Sequence, residues 1–468
     1  MTTIAESELS RLLGQWATGR ETLAHDLAAS LIELIRAGLI SPGTRLPAQR
    51  PLAGTLIVSR GTVTAAYEAL TAEGFLATGR GSGSRVTSAY RWIRRPISGR
   101  FFSFTNTPTD VIDLSTGALP ASPVTYDVLA RPIADRIGSY LLTDGYFPAG
   151  LPALRQAIAD RFTADGTPTD PDQILVTSGA QEATWLAITG LAGAGDVVLT
   201  EEPTYRGALE ALRGAGARVE GLPLVNGGLD PDQVQHAVAH GPDLLYCQTS
   251  IHNPTGRTMT AAARRDLAEV INAAGLTTIE DACSADLTLT GPTPAPTLAR
   301  LVDPELLVVI GSASKLFWGG IRIGWIRASA DRIHGLVELR KPVDLATSVV
   351  DQILAVDLIG HTTVARAQRR ALLTEALAGA QAALAGAVPT WTWEPIVGGS
   401  GLWVDTGQDA VTLAERGKRV GVKVVAGSGF STYGGYSTYL RLPIWHDPDV
   451  LRAALAALSE VASAREVV

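Results

Sequence analysis

The sequence predicts an α/β main domain with a mostly parallel central sheet and a small C-terminal subdomain, preceded by a winged helix-turn-helix domain. Three helical segments and two short strands follow one another between residues 20 and 87. From residue 113 onward, short apolar strands alternate with helices. Such alternation is typical of a parallel sheet covered by helices. We therefore expect domains at 1–87 and 113–468, joined by a linker at 88–112.

Composition and charge exclude several classes of protein. The chain has 468 residues, of which 46% are hydrophobic and 18% charged, so we expect two or three folded domains and little disorder. Its net charge of −7 excludes a protein that is basic throughout. Any contact with phosphates must come from a local patch. Residues 20–100 supply one, with eleven arginines against five acidic residues.

The cysteine count and the hydropathy indicate a cytoplasmic protein. The chain contains 2 cysteines, Cys247 and Cys283, too few for a disulfide framework or a cysteine-based zinc site. We expect no metal. We expect neither a signal peptide nor a membrane span, because the first residues carry Glu6 and Glu8 and the sequence shows no uninterrupted apolar run of about 18 residues. We expect no membrane partner.

Three helices and a hairpin are expected in the N-terminal region. Leucine and isoleucine recur at helical spacing from Glu21 to Arg36. A short second helix covers Gln49 to Leu56, and Ser59 is a good N-cap for a third that runs to about Glu73. Two strands, at 75–78 and 84–87, flank a glycine-rich tip.

The start of the third helix is suited to contact the edges of DNA bases. Ser59, Arg60 and Thr62 are small or polar at a turn that a recognition helix exposes. Arg50 and Arg80 are placed to reach phosphates or a neighbouring groove. The other interpretation, that these arginines are solvated surface charges, stays open here.

Residues 20–87 resemble the winged helix of the GntR family of bacterial regulators. The resemblance implies double-stranded operator DNA as a partner. The contacts that it implies are Arg45, Arg50, Ser59, Arg60, Thr62, Arg80 and Gly81. This chain departs from the family pattern at Gln49, where the family often has glutamate, and at Thr64, where it often has a charged residue. We expect these departures to change affinity or sequence preference and to leave the docking mode intact.

The large region carries five short apolar strands before a mainly helical stretch. They are Ile174–Val176, Val197–Leu199, Leu244–Tyr246, Thr278–Glu280 and Leu307–Ile310. Two later segments, Leu402–Val404 and Tyr439–Leu442, indicate strands of the smaller C-terminal subdomain.

Side chains near the ends of these strands match the needs of a pyridoxal phosphate site. Lys315 can form a Schiff base with the cofactor, and Asp281 can keep its pyridine nitrogen protonated. Ser312, Ser314 and Arg322 can bind the phosphate.

Three further segments complete the candidate site. Asn253 can donate its amide to the ring oxygen, and Tyr205 can stack on the ring. Ser178, Gly179 and Ala180 follow a strand and open a helix, so their backbone N–H groups suit a phosphate.

In the order and spacing of these motifs, residues 113 to about 460 resemble the fold type I aminotransferases of class I and II. The resemblance implies that Lys315 is the internal aldimine lysine, Asp281 the pyridine partner and Asn253 the contact to the ring oxygen. It also implies that Arg441 binds a substrate or effector carboxylate. Tyr146 would reach the phosphate of a partner subunit, which requires a homodimer. A structural ion pair for Arg441 and core packing for Tyr146 are the alternatives.

One departure bears on catalysis. These proteins usually carry a tyrosine two or three residues after the aspartate, and this chain has Cys283 and Ser284 there. We expect cofactor binding to survive this change and transaminase turnover to be weak or absent.

A winged helix joined by a linker to an aminotransferase-like domain resembles the MocR subfamily of GntR regulators. The resemblance implies a transcriptional regulator that senses pyridoxal phosphate, or an amine or amino acid, through its large domain. A working aminotransferase with an accessory DNA-binding domain is the alternative. A DNA-binding protein whose large domain only dimerises is a third.

Overall fold

The computed structural model describes residues 3–14, 16–17, 22–36, 40, 43–72, 75–79, 83–86 and 111–463. The chain divides into two compact units, residues 1–99 and 100–468. The wing-tip residues Arg80 and Gly81, and the linker up to residue 110, lie outside the described residues.

Among its described residues, the first unit contains four helices and one hairpin. The helices are α1 (Glu6–Leu13), α2 (Leu23–Arg36), α3 (Gln49–Leu56) and α4 (Arg60–Ala72), and the strands are β1 (Leu76–Gly79) and β2 (Gly83–Val86). The core is formed by apolar residues at helical spacing, among them Leu27 and Leu31 of α2 and Val63 and Leu70 of α4. Helix α1 was not predicted.

Ser59 marks the start of the recognition helix α4, and strands β1 and β2 form the wing. The Ser59 Oγ accepts the Thr62 N–H at 3.0 Å, so it caps α4 as the sequence predicted. Strands β1 and β2 pair antiparallel. The segment before α3 joins β2 as well, because the Leu46 N–H donates to the Ser84 carbonyl at 2.9 Å.

The second unit contains thirteen strands among its described residues. They are β3 (Ile112–Asp113), β4 (Ile174–Thr177), β5 (Val197–Glu202), β6 (Arg218–Pro223), β7 (Leu244–Cys247), β8 (Thr278–Asp281), β9 (Leu307–Ser312), β10 (Gly324–Arg327), β11 (Thr392–Trp393), β12 (Gly401–Asp405), β13 (Val422–Lys423), β14 (Val425–Ala426) and β15 (Tyr439–Pro443).

Helices pack against these strands along the whole unit. They are α5 (Pro123–Leu129), α6 (Ala134–Ile137), α7 (Pro152–Ala164), α8 (Ala180–Leu191), α9 (Arg206–Ala215), α10 (Pro231–Val238), α11 (Ala261–Ala274), α12 (Ala313–Leu316), α13 (Ala330–Asp344), α14 (Val349–Gly360), α15 (Thr362–Ala387), α16 (Ala410–Arg419) and α17 (Pro448–Ser463). Short 3-10 turns occur at Tyr140–Leu142, Pro171–Gln173, Leu298–Arg300, Gly319–Ile321 and Gly427–Phe430.

The main sheet has seven strands in the order β4-β10-β9-β8-β7-β5-β6. Strand β10 runs antiparallel to both of its neighbours, and the other adjacent pairs are parallel. All five predicted strands form and lie in this sheet. Because the carboxyl ends of parallel strands meet at one edge, the turns after β4, β5, β7, β8 and β9 converge there.

A second, antiparallel sheet forms the smaller C-terminal subdomain. Its strand order is β11-β12-β15-β14, and it includes both predicted C-terminal strands. One boundary prediction needs correction. Ile112, assigned to the linker, pairs with Val422 in a short parallel ladder. The large domain therefore begins before residue 113.

No helix in the described part of the chain is both long enough and apolar enough to span a bilayer.

Candidate cofactor site and DNA-contact surface

A cavity of about 380 Å³ opens at the carboxyl edge of the parallel strands. Its size is within the range of pockets that hold small molecules, and its position is the one where α/β sheets bind ligands. Arg441, the predicted effector contact, lines it together with most of the predicted cofactor residues: Lys315, Asp281, Asn253, Tyr205, Ala180, Ser312, Ser314 and Arg322. Residues that are far apart in the sequence thus meet in one place.

Lys315 lies in the short helix α12, directly after strand β9. The Ser312 side chain caps this helix by accepting the Ser314 N–H at 3.0 Å. The Lys315 Nζ donates to the Gly117 carbonyl at 3.0 Å. Burial, together with the neighbouring charge of Arg441, lowers the pKa of Lys315 to about 8. A lowered pKa increases the fraction of neutral, nucleophilic amine near neutral pH.

Arg322 lines the end of the cavity that suits a phosphate, and it packs against Gly179. Arg322 has a left-handed backbone, with φ of 54°, and its Nη2 donates to the Ser178 carbonyl at 2.5 Å. Gly179 has φ of 98°, and a Cβ added there would lie 2.8 Å from the Arg322 Nη2. The close approach therefore requires glycine.

The predicted backbone donors of this turn are not all directed into the cavity. Ala180 lines it at the first residue of the 12-residue helix α8. The Ser178 N–H instead donates to the Glu182 carboxylate. Ser178 and Gly179 do not line the cavity. Both contact Arg322, which does.

Asp281 lies at the end of β8, and both of its carboxylate oxygens accept hydrogen bonds. Oδ1 accepts the Cys283 N–H at 3.0 Å, and Oδ2 accepts the Tyr246 hydroxyl at 2.8 Å. Tyr246 is completely buried in the neighbouring strand β7. These two donors fix the orientation of the carboxylate. Cys283 and Ser284 line the cavity where a tyrosine was expected.

Two glutamines, the buried Gln248 and the half-buried Gln181, contact Asn253 and Tyr205. The Gln248 side chain bonds to both the backbone N–H and the carbonyl of Asn253, at 3.2 Å each. The Tyr205 hydroxyl donates to the Gln181 Oε1 at 2.8 Å. Both predicted ring contacts are therefore held by neighbours before any ligand arrives.

Arg441 extends from strand β15 of the small subdomain into the same cavity. Its Nη2 donates to the Ser400 Oγ at 3.0 Å, and that hydroxyl donates to the Gly117 carbonyl at 3.0 Å. Among the described residues, Nη1 has no hydrogen-bond partner. A structural ion pair does not account for Arg441, since neither terminal nitrogen meets a carboxylate of the described chain.

Tyr146 lies outside the cavity. Its side chain is 59% exposed, so core packing does not explain it.

Two acids, Glu201 and Glu280, and a histidine, His252, are completely buried, and His252 also lines the cavity. The Glu201 Oε2 lies 3.6 Å from the His252 Nε2. Burial raises the pKa of Glu201 to about 8 and that of Glu280 to about 7, and it lowers the pKa of His252 to about 3. At neutral pH the histidine is neutral. No three of the described His, Cys, Asp and Glu side chains are arranged to hold a metal ion.

Sequence reasoning missed several residues of the cavity. Gln248, Gly117 and Ser400 belong to no recognisable motif, and Tyr246 reads as an ordinary apolar strand residue. Arg206 is the exception, because it directly follows Tyr205 and is a charged residue at the first position of a helix. Arg206 is 4% exposed and lines the cavity.

In the first unit, the structure describes five of the predicted DNA-contact residues. Arg50, Ser59 and Arg60 are exposed, and the Ser59 and Thr62 hydroxyls bond to each other at 2.9 Å. Arg45, also exposed, lines a second cavity, of about 430 Å³, together with Arg50 and Arg60. Three arginines around one concave surface suit the phosphate backbone of DNA.

The two departures from the family pattern contact each other. The Thr64 hydroxyl donates to the Gln49 Oε1 at 3.0 Å, which connects α4 to α3. A neutral hydrogen bond thus stands where the family often has charged side chains.

Comparison with known families and proteins matches both units. Residues 109–458 match the family described as aminotransferase class I and II. Residues 23–86 match the bacterial regulatory proteins of the gntR family. The chain is 31% identical over 373 residues to YisV of Bacillus subtilis, an uncharacterized HTH-type transcriptional regulator, covering 75% of this chain and 77% of YisV. The chain belongs to the MocR subfamily of GntR-type regulators.

Two further similarities agree with this membership. The MocR chain is 28% identical over 448 residues to the HTH-type pyridoxine biosynthesis transcriptional regulator PdxR of Corynebacterium glutamicum, covering 93% of this chain and 95% of PdxR. Its large domain is similar to the crystal structure of LysN, the α-aminoadipate aminotransferase of Thermus thermophilus, complexed with N-(5′-phosphopyridoxyl)-L-leucine. The TM-score is 0.68 at 26% identity, covering 75% of this chain and 92% of LysN.

This MocR chain is therefore a DNA-binding transcriptional regulator, and pyridoxal 5′-phosphate is the cofactor of its large domain. The cavity fits that cofactor. Arg322 and the Gly179 turn suit its phosphate, Asp281 its ring nitrogen and Asn253 its ring oxygen. The cofactor supplies an aldehyde that reacts with primary amines, and Lys315 is a buried amine with a lowered pKa in the same cavity.

Proposed function

We propose that this MocR regulator senses pyridoxal phosphate, or an amino compound that reacts with it, and that the bound state of Lys315 changes its affinity for operator DNA. One observation carries the proposal. The Lys315 Nζ, which the cofactor would engage, bonds at 3.0 Å to the carbonyl of Gly117. Gly117 lies four residues after strand β3, near the point where the chain enters the large domain.

The hydrogen bond to Gly117 offers a physical route for the signal. Gly117 also accepts the Ser400 hydroxyl, and Ser400 accepts a hydrogen bond from Arg441. A carboxylate that engaged Arg441, or a ligand that withdrew Lys315, would change the contacts of residues 115–118. An effector shifts an equilibrium only through such differential contacts.

The residue roles form part of the same proposal. We propose that Lys315, Asp281, Asn253, Tyr205, Ser178, Gly179, Ala180, Ser312, Ser314 and Arg322 hold the cofactor, and that Arg441 binds the effector carboxylate. We propose that Arg45, Arg50, Ser59, Arg60 and Thr62 contact operator DNA, together with Arg80 and Gly81 of the wing tip. The name of PdxR refers to pyridoxine biosynthesis, which makes pyridoxal phosphate itself a candidate signal.

We further propose a homodimer in the cytoplasm. Tyr146 is exposed, and Leu141 and Leu142 beside it are 71% and 90% exposed. Exposed apolar residues of this kind suit a subunit interface. With this interface Tyr146 would be available to the phosphate of the second subunit.

A working aminotransferase is the competing function. The cavity holds a lysine, an aspartate and an arginine as such an enzyme requires, but Cys283 and Ser284 stand where a tyrosine hydroxyl would tune the reaction. Incubation with an amino donor and a keto acid tests the choice. A regulator gives at most a single turnover per site, whereas sustained turnover at ordinary enzyme rates contradicts our proposal.

A further inference from the structure

Strand β3, at the start of the large unit, is joined to strand β13 by backbone hydrogen bonds on both sides. The Ile112 N–H donates to the Gly421 carbonyl, and the Leu114 N–H donates to the Lys423 carbonyl, each at 2.8 Å. Ile112 also packs against the apolar core that contains Val422 and strands β12 and β15. The segment that follows the predicted linker is therefore attached to the small subdomain.

The side chain of Asp113 adds an ion pair to this attachment. Its Oδ2 accepts the Lys423 Nζ at 3.2 Å, and its Oδ1 accepts the Ser115 N–H at 2.8 Å. The Ser115 hydroxyl donates to the same Oδ1. The side chains of Asp113 and Lys423 are only 23% and 10% exposed, so solvent and salt screen this pair less than a surface ion pair.

Two further basic side chains lie within the field of the Asp113 carboxylate. Burial lowers the pKa of Arg206 to about 10 and lowers that of His446, and the charge of Asp113 acts against burial in both. Arg206 begins helix α9 beside the main sheet, whereas His446 follows strand β15 of the small subdomain. Asp113 is thus attracted to groups from both parts of the large unit.

Residues 115–118 lead from Asp113 directly into the wall of the cofactor cavity, and all four line it. The carbonyl of Gly117, four residues after Asp113, accepts hydrogen bonds from the Lys315 Nζ and the Ser400 Oγ, both at 3.0 Å. Because the segment is so short, the position of this carbonyl depends on where Asp113 is held.

A signal from the cavity requires that a change at Lys315 alters the chain outside the cavity. The cofactor aldehyde reacts with the Lys315 amine, so the Gly117 carbonyl would then lose a charged donor. A segment that is free at its other end would relax locally. A segment that is anchored passes the change to its anchor, and here the anchor is strand β3.

We infer that Asp113 is a positioning residue for cofactor sensing: its ion pair with Lys423 fixes residues 113–118, so that reaction at Lys315 changes strand β3. The inference rests on the proposed function, because it requires that the cofactor changes the affinity for DNA. It adds the side chains on which that coupling depends. Asp113 is not one of the described residues that line the cavity, so cofactor binding should not depend on its charge.

The test measures the coupling ratio, which is the ratio of the dissociation constants for operator DNA with and without pyridoxal phosphate. In full-length Asp113→Asn the side chain keeps its shape and the acceptor for the Ser115 N–H, but it loses the charge that pairs with Lys423. The wild-type ratio of about fivefold or more should fall below about twofold. The absorbance of the bound cofactor should match that of the wild type. Asp449→Asn, an exposed acid, is the matched control and should keep the wild-type ratio.

Variants of Lys423 test the same ion pair from its other side. Lys423→Gln should lower the coupling ratio as Asp113→Asn does, whereas Lys423→Arg should retain most of it because the positive charge remains. Lys418→Gln, an exposed lysine in helix α16, should match the wild type. Thermal unfolding shows that each variant is folded. If Asp113→Asn proves too unstable to measure, the comparison of Lys423→Arg with Lys423→Gln decides the question.

A coupling ratio in Asp113→Asn equal to that of the wild type would overturn the inference and leave the proposed sensing intact. Loss of pyridoxal phosphate from Asp113→Asn would also overturn it, because Asp113 would then be needed to build the cavity. Equal loss of coupling in Lys423→Arg and Lys423→Gln would show that the charge pair is not the cause. Identical DNA affinity of the wild type with and without the cofactor would contradict the proposed function itself.

Discussion

Lys315 is the residue whose chemistry depends most on its surroundings. Burial makes its charged form costly, and the neighbouring charge of Arg441 adds to that cost, so its pKa falls to about 8. The neutral form predominates only above that value. Uptake of pyridoxal phosphate requires the neutral amine.

Uptake of pyridoxal phosphate by the apoprotein should therefore accelerate as pH rises, with a midpoint near 8. In Arg441→Gln the positive charge is gone, so the pKa of Lys315 rises and the midpoint moves to higher pH. Stopped-flow absorbance at a series of pH values measures both profiles. Arg452→Gln, an exposed arginine, should match the wild type. An unchanged midpoint in Arg441→Gln would contradict the electrostatic account.

Arg60 is the residue that most directly tests DNA contact. It is exposed at the start of α4, next to the Ser59 cap. Arg60→Ala should weaken binding to operator DNA, selected from a random library, by about 1–3 kcal/mol, and Arg50→Ala should weaken it and lower the salt dependence by about one counterion. Fluorescence anisotropy at several salt concentrations measures both effects. Binding equal to that of wild type in both variants would exclude this surface.

At the scale of elements, the turn between β4 and α8 depends on glycine. Gly179 has φ of 98° and ψ of 166°, a region that side chains rarely adopt, and the Arg322 guanidinium lies where a Cβ would be. Substitution must distort either the turn or Arg322.

Gly179→Ala should therefore destabilise the fold by about 1–3 kcal/mol and weaken the binding of pyridoxal phosphate at least tenfold. Gly214→Ala is the control. Gly214 lies in helix α9 with nothing within 4 Å of an added Cβ, so alanine there should be neutral or stabilising. Thermal unfolding and cofactor titration give the two quantities. A Gly179→Ala protein that binds the cofactor normally would show that the turn does not hold the phosphate.

Glu201, near the carboxyl end of strand β5, should make the stability of the fold depend on pH. Burial raises the pKa of Glu201 to about 8, well above the value of 4.5 for an exposed glutamate. The folded state thus holds a proton that the unfolded state releases. This stabilisation is complete below pH 4.5 and is lost as pH rises through 8, at about 1.4 kcal/mol per pKa unit.

Glu201→Gln removes that proton exchange and keeps an acceptor for the Gln248 N–H. The melting temperature of the variant should fall less than that of the wild type between about pH 6.5 and 8. His252 contributes little in this window, because its pKa of about 3 keeps it neutral. Glu415→Gln, on the surface, is the control. A wild-type slope retained in Glu201→Gln would exclude Glu201 as its source.

Elements with an uninterrupted apolar pattern could be predicted from the sequence, and others could not. Strands β4, β5, β7 and β9 are buried on both faces, and each contains an apolar run. Strand β6 is half exposed and mixes Arg218 and Glu220 with apolar residues. Strand β10 begins at Gly324 and ends at Arg327, so only two apolar residues stand between them. Strands β6 and β10 form because they pair with neighbouring strands, and this pairing cannot be recognised from the local sequence.

The residues of the candidate site also fall into two groups, those that the sequence indicates and those that it does not. Lys315, Asp281, Asn253 and Arg322 carry motifs at the ends of strands, so the sequence indicates them. Gln248, Tyr246 and Ser400 act by packing against those residues in three dimensions. No local pattern distinguishes them from ordinary buried polar side chains.

At the scale of the whole molecule, one chain joins a surface suited to DNA with a cavity suited to an aldehyde cofactor. Neither part alone distinguishes a regulator from an enzyme. Membership of the MocR subfamily makes the chain a regulator. For the large domain to act as a sensor, a ligand in the cavity must change the affinity of the protein for DNA. This requires that the ligand binds two states of the protein with different free energies.

Titration of operator DNA with and without pyridoxal phosphate tests this requirement most directly, on the wild type and on Lys315→Ala. We predict that the cofactor changes the affinity of the wild type by about fivefold or more, and that Lys315→Ala binds DNA with one affinity in both conditions. Identical affinity of the wild type with and without the cofactor, or an equal change in Lys315→Ala, would contradict the account.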